Sequence, residues 1–121
     1  MIVLTTSSQS LRVSAGDVSS AALHCVAVYF DQLPQAQESI QRRATQFTST
    51  STTANATAVA APLANSIVRN IEQFTAHNAT ATTATVRIRI VDGAVERHLL
   101  STSLLSGTSA IYEHGTGWQV L

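Results

Sequence analysis

Any acid–base, nucleophilic or metal chemistry in this 121-residue sequence would have to be built from four histidines, one cysteine and seven carboxylates. Their spacing does not favour it. His24, His77, His98 and His114 share no H-x-x-x-H or comparable ligand spacing. His24 is adjacent to Cys25, but neighbouring residues of a strand point to opposite faces, which defeats a Cys–His dyad from this pair. Asp17, Asp31, Glu38, Glu72, Asp92, Glu96 and Glu113 form no paired-carboxylate motif. The chain has neither a glycine-rich phosphate loop nor a G-x-S-x-G elbow. The expectation is therefore a protein that binds rather than catalyses, with no catalytic residues, no metal and no cofactor.

The remaining polar candidates are arginines. Arg87 and Arg89 fall on one face of an alternating stretch. They read either as a solvated face paired across the sheet with Glu96 or as a docking face for an acidic surface. Trp118 and Tyr112 read as core plugs more readily than as sugar-stacking platforms. Seven Arg balance seven acids and there is no Lys, so the chain is formally neutral. Neutrality gives no electrostatic footprint for nucleic acid.

The elements that must position these residues read as strands. Charged residues make up only 12% of the chain, and 14 Ser and 16 Thr supply much of its polarity; β-branched Thr favours sheet. Short strands are predicted at Ile2–Thr6, Ser10–Val13 and Ala21–Asp31, the last with two half-apolar faces. Cys25, inside that apolar run, is expected as a buried, inert thiol. Residues 66–78 carry a mixed signal. Leu63, Ile67, Ile71 and Phe74 would line a helix face, but a strand is preferred. Residues 83–91 alternate plainly, with Val86, Ile88 and Ile90 opposite Thr85, Arg87 and Arg89. Asp92-Gly93 marks a hairpin, predicted as a type I′ turn, and strands follow at 95–105, 109–112 and 118–121. The predicted fold is a single domain over 1–121: all-β, an antiparallel β-sandwich, jelly-roll-like, with an extended arm or long loop at 34–58. Within that segment Pro34, Ala36, Ile40, Ala44 and Phe47 also permit a helix over 34–47, and the Ser/Thr/Ala/Asn run at 48–58 reads as an arm or a solvated connector. Ile40, Arg42, Arg43 and Phe47 are the anchors such an arm would offer a neighbouring subunit. No apolar stretch approaches membrane-spanning length, and MIVLTT is too short and uncharged for a secretion signal, so a cytoplasmic product with no membrane partner is expected.

The ordered set of features in the C-terminal half resembles a family of small β-sandwich structural proteins of tailed bacteriophage virions. These features are the corner Phe74-Thr75-Ala76-His77-Asn78, the strand Thr85-Val86-Arg87-Ile88, the Asp92-Gly93 hairpin with Glu96-Arg97-His98-Leu99-Leu100, the run Leu104-Leu105-Ser106-Gly107-Thr108-Ser109 into Tyr112, and the ending Gly115-Thr116-Gly117-Trp118-Gln119-Val120-Leu121. Leu4 to Val13 and Leu23-His24-Cys25-Val26 are similar more loosely, and residues 34–58 depart from the pattern. The resemblance implies a capsid decoration or cement protein, made in the host cytoplasm and carried on the capsid surface of the virion. It would bind the major capsid protein as a homo-oligomer, commonly a trimer. A tail fibre, neck or baseplate module and a carbohydrate-binding module are the alternatives.

Overall fold

In the computed structural model, residues 1–15, 23–32 and 56–121 are described in full and residues 42–50 along the backbone. Ten strands run in chain order: β1 (Ile2–Leu4), β2 (Gln9–Ala15), β3 (Leu23–Gln32), β4 (Arg42–Thr50), β5 (Ala56–Val59), β6 (Val68–Asn78), β7 (Ala84–Asp92), β8 (Val95–Leu104), β9 (Ser109–Glu113) and β10 (Gly117–Val120). They form two antiparallel sheets. Sheet A has the order β10-β9-β6-β3-β4, with β1 also on β6; sheet B has the order β5-β2-β7-β8. The long β6 serves β1 and β9 along its length, pairing Arg69–Ile71 with β1 and Gln73–His77 with β9. The fold is the predicted all-β, antiparallel arrangement, consistent with a β-sandwich.

Period-two alternation builds the core from both sheets. Leu11, Val13 and Ala15 of β2 and Val86 and Ile88 of β7 are buried together with Leu23, Cys25 and Ala27 of β3 and Ile71, Phe74 and Ala76 of β6. The three-residue gap between Ile71 and Phe74, which imitates a helix face, has a strand explanation. Val28 pairs with Gln73 and Tyr29 with Ile71, so Glu72 is an extra residue at a bulge and both apolar neighbours face inward.

Two expectations need correction. Part of the expected arm or loop at 34–58 is sheet. Arg42–Thr50 pairs with β3 from Asp31↔Arg42 to Leu23↔Thr50, and Ala56–Val59 pairs with β2. The physical reason is backbone demand: β3 carries a second row of N–H and C=O groups that needs a partner, and Thr45, Thr48 and Thr50 suit extended backbone. The same pairing overturns the helix option for 42–47; residues 33–41 and 51–55 lie outside the described residues. The hairpin is also of another type. Asp92 pairs with Val95, so the loop is Gly93-Ala94, with φ +59° at Gly93 and no positive φ at any described non-glycine residue. A positive first and negative second φ is the type II′ pattern, with Gly in the first position.

Cys25 is buried, and burial pushes its thiol from an ordinary value near 9 up to about 12. Between those values the unfolded chain has released the proton and the folded chain retains it, so stability falls as pH rises. The urea midpoint is expected to drop above about pH 9, and a Cys25→Ala chain should lose part of that alkaline limb. An identical alkaline limb in both chains would contradict the assignment.

Candidate docking face

The register of sheet B assembles a cationic face that no short stretch of sequence displays. On β2, Leu11, Val13 and Ala15 take the core side, which leaves Ser10, Arg12 and Ser14 on the other. On β7, Val86 and Ile88 point inward and Arg87 and Arg89 outward. Arg12 stands directly opposite Arg89, and Ser14 opposite Arg87. A bulge between Ile88 and Arg89 then sets Arg89 opposite His98, so Thr57, Arg12, Arg89 and His98 form one row across four strands.

Like charges directly opposite in a sheet are unfavourable, and this pair is held by local partners. Arg12 Nε donates to Ser10 Oγ at 2.9 Å. Arg89 Nη2 donates to Ser14 Oγ at 2.9 Å, and Arg89 Nη1 donates to Glu96 Oε2 at 2.9 Å. The Ser10 and Ser14 side chains are buried beneath the guanidinium groups. Arg89 Nε is buried with no partner, which leaves a polar cost on this face. Arg87 is exposed. The solvated-face reading of the arginine pair describes both residues: Arg89 is paired across the sheet with Glu96, and Arg87 faces solvent. Arg12 was not among the sequence candidates. The signal that could have found it is the alternation of Ser10, Arg12 and Ser14 with apolar neighbours, combined with the pairing of β2 and β7.

The other candidates lie elsewhere. Arg42, Arg43 and Phe47 occupy β4 at positions opposite Asp31, Phe30 and Val26, in the other sheet from Arg87 and Arg89. Ile40 lies outside the described residues. Tyr112 is buried, and Trp118 packs on it at 5.2 Å between ring centroids and edge-on to Phe74 at 6.3 Å. These rings close the core at the β9–β10 end, as the packing reading expects.

On the outer side of sheet A an open cleft of about 420 Å³ is lined by Val28, Glu72, Gln73, Glu113 and His114. Among the described residues no three His, Cys, Asp or Glu side chains come together as a metal cluster, and no helix is long and apolar enough to cross a membrane. Asp92 is occupied structurally, accepting from Ser8 Oγ at 2.6 Å beside the hairpin.

No known protein family, curated protein or solved structure matches the chain.

Proposed function

We propose that the protein is a virion structural protein of tailed-phage type, a capsid decoration or cement protein that docks sheet B's outer face on an acidic surface of major capsid subunits. The observation that carries the docking part is the arginine face. Three guanidinium groups, from Arg12, Arg87 and Arg89, are gathered on two adjacent strands of a formally neutral chain, and Arg87 is exposed. Planar forked donors suit bidentate recognition of carboxylates. The balanced overall charge favours a protein partner over nucleic acid. The virion part and the homo-oligomer part rest on the ordered resemblance of residues 66–121.

In this reading each copy binds weakly and symmetry multiplies the contacts, so the shell is stabilised through avidity. The packing of Trp118 and Tyr112 into the core leaves less to support a carbohydrate platform. The test is co-sedimentation of the purified chain with shells of major capsid protein, with densitometry of the bound protein. Saturable binding at hundreds of copies per shell is expected. Binding confined to about a dozen copies would favour the neck or tail alternative.

A further inference from the structure

Histidines 53 positions apart in the sequence meet on the outer face of sheet A. His24 of β3 and His77 of β6 are direct cross-strand partners. Their chain neighbours Leu23, Cys25, Ala76 and Asn78 are buried, so both imidazoles take the opposite face; His24 is exposed and His77 half-buried. The next strand continues the row, with His77 opposite Ser109 and His77 Nδ1 2.8 Å from Ser109 Oγ.

We propose that His24 and His77 form a two-imidazole site for a borderline divalent cation of the Zn²⁺, Ni²⁺ or Cu²⁺ class, with Ser109 as the positioning residue. Directly opposed residues of an antiparallel pair have Cβ atoms about 4.5–5.5 Å apart. Two nitrogens at about 2.0–2.1 Å from a tetrahedral ion are about 3.3 Å apart, a separation that two rings rising side by side from such Cβ atoms reach by rotation. The Ser109 contact adds what an accidental pair lacks. With Nδ1–H donating to Ser109 Oγ, the ring is fixed in orientation and the Nε2 lone pair is free for a metal, the arrangement that outer partners impose on metal-bound histidines. Imidazole is the ligand class these cations prefer, and water completes the coordination. A bound ion would clip β3 to β6, the two central strands of sheet A. The site is independent of the docking reading: it lies on the other sheet from the arginine face and shares no residue with it.

Isothermal titration of the full chain with NiCl₂ or ZnCl₂ tests this. One saturable equivalent is expected, with a metal-dependent rise in melting temperature that a chelator reverses. His24→Ala and His77→Gln should each weaken binding at least about tenfold, Ser109→Ala should weaken it less, and His98→Ala and His114→Ala should leave it unchanged. His24→Ala alters an exposed side chain, so its fold is readily checked by its metal-free melting temperature. The proposal is overturned by the absence of saturable binding up to millimolar metal. It is equally overturned by binding that survives both His24→Ala and His77→Gln, or by binding that depends on His98 or His114 instead.

Discussion

Replacing Arg69 with methionine is expected to destabilise the protein by about 2–4 kcal/mol, a large fraction of a small domain's stability. Arg69 Nε and Nη2 form a fork on Asp31, 2.7 and 2.9 Å from Oδ1 and Oδ2. Nη1 donates to the Ala60 carbonyl at 2.7 Å. The guanidinium also lies 4.3 Å from the centroid of the Tyr29 ring. One side chain thus ties β3, β6 and the segment leaving β5 together. Its own side chain is 8% exposed and that of Asp31 25%. Methionine keeps much of the packing and removes every donor, which strands a partly buried carboxylate. Asp31 can recover some hydration through its exposed quarter, which places the estimate below the full penalty for a wholly buried pair. Urea titration and thermal melting check it, with an expected fall in melting temperature of roughly 10 °C. The double variant Asp31→Leu, Arg69→Met should recover part of the loss, because no unpaired charge remains. A single variant that melts within a degree or two of the parent would show that the fork contributes little.

Asn78 carries the second large effect. It is fully buried at the end of β6. Its Nδ2 donates to the carbonyls of Thr82 and Leu104, both at 2.9 Å. Its Oδ1 accepts from Thr80 N at 3.0 Å and from Thr80 Oγ1 at 2.6 Å. Its backbone bonds both ways to the turn before β9, through Thr108 O and Gly107 N at 2.9 Å each. The side-chain amide orientation is fixed by chemistry, since carbonyls only accept and the Thr80 N–H only donates. This side chain closes the β6–β7 connection against the end of β8. Asn78→Ala is expected to cost about 2–4 kcal/mol, because it removes the four side-chain bonds of a fully buried amide. Asn78→Asp has nearly the same shape and separates packing from hydrogen bonding: it keeps the acceptor but faces two carbonyl oxygens with a buried carboxylate. It should be at least as destabilised as the alanine variant at neutral pH and should partly recover on acidification, when the carboxyl becomes neutral. An Asn78→Asp chain that melts like the parent would contradict the network.

What the sequence disclosed and what it hid follow from the range of the interactions involved. The β7–β8 hairpin was legible because alternation and a glycine turn are local, and only the turn type depends on backbone angles that Asp92-Gly93 does not dictate. The strand at 68–78 was legible but disguised, since the Glu72 bulge changes a two-residue spacing into three between Ile71 and Phe74. β4 was not legible as a strand: its Thr, Ser, Gln and Arg residues show no apolar alternation, and the demand for it comes from the backbone of β3. The arginine face was half legible. Arg87 and Arg89 lie two residues apart, whereas Arg12 joins them only through the pairing of β2 with β7. The His24–His77 pair is hidden for the same reason, because ligand spacing along the chain says nothing about partners across a sheet.

Charge reversal at the exposed member of the arginine face separates docking through sheet B from docking elsewhere. Arg87→Glu inverts an exposed side chain that stands opposite Ser14 and Ser101. The measurement is the affinity for shells of major capsid protein across a salt series, for the parent chain, for Arg87→Glu and for Arg12→Gln combined with Arg87→Glu. Unchanged melting temperatures would establish that each variant is folded. Parent binding is expected to weaken as salt rises, with a loss of at least about tenfold for Arg87→Glu and a larger loss for the double variant. Parent-like affinity of the folded double variant at low salt, or parent binding indifferent to salt, would contradict docking through this face.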